Sequence, residues 1–301
     1  MTQGMTIQLR TLTPIWTGGV DQKPDRLHET GLIGSLRWWY EALVRGLGGY
    51  ACDPTSSADR CPDLDGKHCV ACELFGCTGW GRKFKLVVED GEGKVIEKAL
   101  ERNMEFVLEF VELRSIAKEE MWLLAKTVEV AAKYGSIGGK TTLKPQANVR
   151  RPQDSLQRLP SAKPGDDMGI ISWQKGPRLS ADRSAAAGYV GKQGSKGPGE
   201  LPDLRWFFFM KGSLLRRGQM NTLMGRSPDG RSVIRKGPIE DALRGEIGIS
   251  KKLFSFSADQ GRIWGYLADR ELRDRTVERI KSELGRGNYT VKTGEQIIHE
   301  L

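Results

Sequence analysis

Between Met5 and Leu12 apolar and polar side chains alternate, with Met5, Ile7 and Leu9 set against Thr6, Gln8 and Arg10. That two-residue period is the signature of a half-buried strand. It returns at Arg82–Glu89, with Phe84, Leu86 and Val88 on one side, and at Met104–Glu112, with Met104, Phe106, Leu108 and Phe110 inward. Residues 31–46 switch to helical spacing, since Leu32, Leu36, Trp39 and Leu43 recur every three or four positions. Ala117–Tyr134 predicts a second helix, with Ser115 as its N-cap, Glu119 and Glu120 in the first turn and Gly135 at C′. A fourth strand is expected near 141–149. The order is β-α-β-β-α-β, the ferredoxin-like arrangement.

The last third repeats that order. Trp206–Met210 is a strand and 238–245 a short helix. Lys251–Ser257 and Arg262–Leu267 form a hairpin around Asp259-Gln260-Gly261, Asp269–Leu284 is a helix, and Tyr289–Val291 is the last strand. The expected fold class is therefore α+β: two ferredoxin-like domains in tandem, with a cysteine-bearing insertion and a long basic loop. The first domain covers 1–149, with the insertion at 50–80, and the second covers 204–301. Between them, 150–203 includes SAKPGDD and GKQGSKGPGE, which cannot build a core and read as loop or linker.

Charge changes this picture. The net charge of +9 favours an acidic partner such as nucleic acid. The positive charge is local: six Lys/Arg lie between Tyr134 and Lys163 against Asp154, and eight between Arg205 and Lys236 against Asp229. No apolar run is long enough to span a membrane, and the N-terminus lacks the basic and apolar regions of a signal peptide. A cytoplasmic protein with no membrane partner is expected.

Catalytic groups are scarce. The histidines are His28, His68 and His299, and none sits in an HxH, HExxH or His-Asp arrangement. His28, just ahead of the first helix and near Arg26 and Tyr40, is a weak candidate for metal-free RNA cleavage through the 2′-hydroxyl; a polar loop histidine is the plainer account. Cys69-Val-Ala-Cys72 has zinc-knuckle spacing, and Cys52 and Cys61 complete four sulfurs for a structural zinc, with His68 as an alternative ligand. Free buried thiols or a disulfide are the other readings. The loop from Gly135 through Gly138, Gly139 and Lys140 is not a P-loop, because three residues rather than four separate Gly135 from the Gly-Lys pair, and it leaves a helix instead of opening one. It is either a helix cap with a turn or bare backbone that lets RNA approach, with Lys140 adding charge. In the first helix Gly34 lies one turn before Arg37. The two arginines, Arg37 and Arg45, either pair with Glu41 at i±4 or leave the glycine-rich N-terminal turn to meet a phosphate. Glu105 and Glu109 on the outer face of the third strand argue against RNA on that sheet.

Four segments carry a resemblance: TPIWTGG at 13–19, GLIGSLRWWYEALVRG at 31–46, CVACELFGCTGWGRKFKL at 69–86 and YGSIGGKT at 134–141. Together they resemble the RAMP superfamily, and within it the subunits of type III-B CRISPR (Cmr) effector complexes. The resemblance implies two ferredoxin-like domains, a cytoplasmic location and a place in a multisubunit, guide-RNA-directed RNA-silencing complex. The implied partners are single-stranded RNA, guide or target, and other RAMP subunits. The implied role is non-catalytic, since target cleavage belongs to another subunit. Carried over residue by residue, the helix motif falls on Gly34, Arg37 and Trp38, and the loop motif on Gly135, Gly138, Gly139 and Lys140. Arg26, Lys144, Arg150 and Arg151 join them as expected RNA contacts. The loop has fewer glycines and arginines than many members. RAMP relatives that process guide precursors are nucleases, often with a histidine near the first helix, which keeps His28 as an endoribonuclease alternative. A scaffold that contacts only protein is a third reading.

Overall fold

The computed structural model describes residues 4–17, 26–138, 167–192, 201–245 and 251–301. The first unit runs β1 (Gly4–Thr11), α1 (Glu29–Gly46), α2 (Val70–Phe75), β2 (Phe84–Glu89), β3 (Glu105–Glu112), α3 (Lys118–Lys133) and β4 (Ile171–Lys175). Its sheet is ordered β2-β3-β1-β4, and every neighbouring pair is antiparallel. Met5 lies opposite Phe110, Ile7 opposite Leu108 and Leu9 opposite Phe106. These buried positions form one core with Leu32, Leu36 and Leu43 of α1 and Leu123, Leu124 and Val128 of α3. On the other face Thr6 meets Glu109 and Arg10 meets Glu105, so acid is spread across it as the alternation implies.

Two expectations need correction. Residues 141–149 lie outside the described residues, and the place beside β1 is taken by β4, with Thr11 opposite Ile171 and Leu9 opposite Trp173. This strand sits inside the stretch read as loop. It has only two apolar inward positions and follows a Gly/Pro-rich run, so periodicity could not mark it. The same stretch also forms α4 (Arg183–Gly191), capped by Asp182, which accepts from the Ala185 N–H at 2.8 Å. The second correction concerns the start of α3. Ser115 does not cap it; the buried Glu120 carboxylate reaches back to the Ala117 N–H at 2.9 Å and is itself held by Lys83 Nζ at 2.9 and 3.0 Å.

The second unit runs β5 (Phe207–Lys211), α5 (Arg217–Leu223), α6 (Pro238–Leu243), β6 (Leu253–Phe256), β7 (Arg262–Tyr266), α7 (Arg270–Leu284), β8 (Thr290–Thr293) and α8 (Gly294–Glu300). Its sheet is ordered β6-β7-β5-β8, the same relative order as the first. The β6–β7 turn needs left-handed backbone at Asp259, Gln260 and Gly261, with φ of 56°, 61° and 96°. Glycine takes that φ at no steric cost and aspartate tolerates it.

Strand β5 is buried on both faces. Phe208 and Met210 pack with Leu215, Leu253, Ile263 and Ile280 in the second unit's own core. Phe207 and Phe209 turn the other way, against the first unit: Phe207 lies 5.6 Å from Trp39 and Phe209 5.4 Å from Tyr134. The second sheet therefore uses the helices of the first unit as its outer layer. Arg262 locks this contact. Only 2% exposed, it donates to the Ala132 and Gly135 carbonyls at 3.1 and 2.7 Å and pairs with Asp259. A cation thus meets the unpaired carbonyls at the C-terminal end of α3. Removing it strands those carbonyls and leaves Asp259 with Lys211 at 3.9 Å as its remaining cation. Arg262→Ala is expected to cost about 3 kcal/mol or more, read as a lowered Tm; an unchanged Tm contradicts the assignment.

Candidate nucleic-acid cleft and cysteine centre

Helix α1 buries Leu32, Leu36, Trp39, Tyr40 and Leu43. Trp39 also fixes the glycine loop, since its Nε1 donates to the Ser136 carbonyl at 2.9 Å. Gly135 is required here for space: a Cβ would stand 2.2 Å from Trp39 Cζ2. Gly138 has φ +106°, lies against the Trp16 carbonyl, and donates its N–H to Ser35 Oγ at 3.2 Å. The two glycine-bearing motifs are therefore brought side by side. Gly34 is exposed, with nothing within 4 Å of a would-be Cβ. Gly139, Lys140, Lys144, Arg150 and Arg151 lie outside the described residues. Arg26 is exposed and bridges to Lys98. His28 is the N-cap residue of α1, where its backbone N–H donates to Thr17 Oγ1 at 2.9 Å and its side chain makes no cap hydrogen bond.

Trp38 is where the two units meet. Its ring lies 5.5 Å from Tyr266 and 6.1 Å from Trp264. Around it is a cleft of about 210 Å³ lined by Ser35, Ser136 and Gly138 from the first unit and by Lys251, Phe254, Trp264 and Tyr266 from the second. Phe254 stacks on Trp264 at 4.1 Å. Burial pushes the Tyr266 hydroxyl up to about 12, so it stays protonated at neutral pH. The cleft offers flat aromatic surface, hydroxyls and one lysine, groups that suit a planar polar ring better than a bulky aliphatic one. Its second-unit wall was missed from sequence. The available signal was Arg262-Ile-Trp-Gly-Tyr266, whose two aromatics share one strand face. A strand buried on both sides gives no alternation, so that face could not be picked out.

Arg37 does not reach outward as a phosphate contact requires. Its Nε donates to Glu41 at 2.8 Å, one terminal nitrogen to the Gly76 carbonyl at 2.7 Å and the other to Cys72 Sγ at 3.0 Å. Glu41 also faces Arg45 at 3.9 Å, so the i±4 pairing is the arrangement found. Burial raises the Glu41 pKa, and the hydrogen bond from Arg37 and the charge of Arg45 oppose that rise.

Arg37 instead braces the cysteines. Cys52, Cys61, Cys69 and Cys72 are all buried, and their sulfurs lie within 4.8 Å of one another. A tetrahedral zinc with bonds near 2.3 Å needs sulfurs roughly 3.8 Å apart. The Cys69 N–H donates to Cys61 Sγ at 3.2 Å and the Cys72 N–H to Cys69 Sγ at 3.4 Å. Hydrogen bonds from Cys52 and Cys72 hold the Cys69 thiol far below its ordinary range, whereas the bond to Cys69 pushes Cys52 up to about 12. Four sulfurs with N–H and guanidinium donors around them suit a structural metal site. His68 is not in this group; its ring stacks on Trp80 at 4.7 Å and its Nδ1 faces Glu73. Helix α2 carries Cys72, and Cys69 is its N-cap. That helix also went unread in the sequence, because six residues hold less than two turns of pattern.

With this geometry in view, the comparisons with known proteins align with the motifs. A family model described as the RAMP superfamily matches residues 8–143. That span holds α1, the cysteine centre and the glycine loop. Among solved structures, a chain from the cryo-EM structure of a type III-B Cmr-beta complex bound to cognate target RNA is similar at 9% identity and a TM-score of 0.47. The match covers 95% of this chain and 100% of that one. A likeness at that level carries no functional weight by itself. No curated protein matches. Among the described residues no helix is long and apolar enough to cross a membrane.

Protein purified without added metal is expected to contain about one zinc per chain by elemental analysis. Arg37→Ala is expected to weaken retention of that zinc by roughly 10- to 100-fold. Full folding with no bound metal would rule the site out.

Proposed function

We propose that this chain is a non-catalytic, single-stranded-RNA-binding subunit of a type III-B CRISPR (Cmr) RNA-silencing complex. In this reading it corresponds to the first-named subunit, sits at the end near the 3′ part of the guide, and helps capture target RNA. The observation that carries the reading is the convergence of two RAMP motifs, the α1 turn at Gly34-Ser35 and the loop at Ser136–Gly138, on one open cleft. Bare backbone and hydroxyls there admit an RNA strand closely. Gly139, Lys140, Lys144, Arg150 and Arg151, which follow the loop in sequence, belong to this proposal as its backbone and charge contacts. Sequence choice would come from guide–target pairing rather than from this subunit.

The units are read as two ferredoxin-like domains, at 1–149 and 204–301, with 150–203 between them; β4 within that segment completes the first sheet. The cysteine centre is read as structural zinc, which keeps the insertion anchored to α1 through Arg37. Other RAMP subunits are the protein partners, and the location is cytoplasmic.

The nuclease alternative rests on His28, at the N-cap of α1. Labelled single-stranded RNA incubated with the full chain in EDTA should stay intact and be bound. Its binding should be stronger than that of duplex RNA and should weaken as salt rises. His28→Ala should behave like the wild type. RNA cleavage in EDTA that disappears in His28→Ala would replace this reading with that of a metal-independent endoribonuclease.

A further inference from the structure

The aromatic cleft has a neighbour. A second pocket, about 180 Å³, is lined by Arg217, Asn221, Arg226, Asp229, Arg244 and Lys251. Lys251 therefore borders both pockets. Of the lining cations, Arg244 is paired with Asp241, and the one carboxylate lining the pocket, Asp229, is already engaged, accepting from Ser227 Oγ and from the Arg231 N–H. Arg244 is 8% exposed and held in place by the Met224 carbonyl at 3.3 Å and Asp241 at 3.2 Å. Arg217 is half-buried and has no ion pair among the described residues. Arg217 and Arg226, neither with an ion pair among the described residues, line a partly dry pocket and call for an anion.

The aromatic cleft shows a separate deficit. Trp264 is 4% exposed, and its Nε1 has no hydrogen-bond partner among the described residues. A buried indole N–H ordinarily finds an acceptor. Phe254, half-buried at the rim, is the ring stacked over it.

We propose that the second unit holds one nucleotide of a single-stranded RNA across these two pockets. Its base stacks among Trp38, Phe254 and Tyr266, with Phe254 giving way so that a base carbonyl or ring nitrogen supplies the acceptor Trp264 lacks. Its phosphate sits with Arg217 and Arg226, and Lys251 lies between base and phosphate. A cleft of about 210 Å³ is below the several hundred Å³ of drug-sized sites and suits a single ring system. An acidic peptide would use the arginines and leave the aromatic surface idle. The proposal rests on the RNA-binding reading above, and it moves the principal contact from α1 to the second unit.

The test uses the full chain, a labelled oligouridylate and an abasic strand of equal length, with binding followed by fluorescence anisotropy over a salt series. The abasic strand should bind about 5- to 150-fold more weakly than oligouridylate. Phe254→Ala should lose a similar factor on oligouridylate and nothing further on the abasic strand. Arg217→Gln should flatten the log–log salt slope by about 0.7. The abasic comparison uses unmodified protein, so it stands even if a variant fails to fold. If oligouridylate binds but neither variant changes affinity or slope, the RNA lies elsewhere; this inference falls while the RNA-binding reading survives. If free UMP competes as well as the strand does, the pockets form a site for free nucleotides and the inference also falls. If wild-type protein binds no oligouridylate, alone or assembled with its complex, the RNA-binding reading fails and this inference fails with it.

Discussion

The grip of Arg262 on the end of α3 is the contact on which the rest of the structure depends. A guanidinium from the second sheet satisfies the Ala132 and Gly135 carbonyls of the first unit. Gly135 in turn makes room for Trp39, and Trp39 holds the Ser136 carbonyl. One buried cation thereby sets the spacing of the two units, the path of the glycine loop and the wall of the cleft. The aromatic seam around it, Trp39 with Phe207 and Trp264 at 5.6 and 5.1 Å, excludes water and makes that charge–carbonyl contact worth more than it would be at the surface.

The same economy explains the three roles of α1. Its leucines and Trp39 serve the core, Ser35 and Trp38 serve the cleft, and Arg37 serves the cysteines. Each role falls on a different face of the helix, as a 3.6-residue period allows. Glycine at 34, where no neighbour lies within 4 Å, keeps the open face bare rather than making room for packing.

Much of the fold was legible from the chain. Where one face is wet, as in β1 and β3, alternation located the strands to within about a residue. The helices α1, α3 and α7 were located in the sequence, and in the structure Asp269 caps α7 by accepting from the Leu272 N–H at 2.8 Å. What stayed hidden has a physical cause in each case. Strand β4 is short and distant in sequence from its partner β1. Helix α2 is too short to show a period. Strands β5 and β7 are covered on both sides, so their sequences could not reveal which face meets the first unit. Site residues divided in the same way. Cys69 and Cys72 were found because their ligand spacing is local, and Cys52 and Cys61 do lie with them. For Arg37 the pairing with Glu41 was one of two readings, but its contacts with Gly76 and Cys72 were not legible, because those acceptors lie 39 and 35 residues away. The residues Lys251, Phe254 and Trp264 carry no motif of their own and become a site only when the second sheet docks.

The central claim is that RNA lies in the cleft between the two units. Photocrosslinking of 4-thiouridine-labelled single-stranded RNA to the full chain, with the linked peptides identified by mass spectrometry, tests it most directly. Crosslinks are expected on the peptides that carry Trp38 and residues 251–266. Crosslinks confined to the open face of the first sheet, at β2 and β3, or to the cysteine insertion would contradict it.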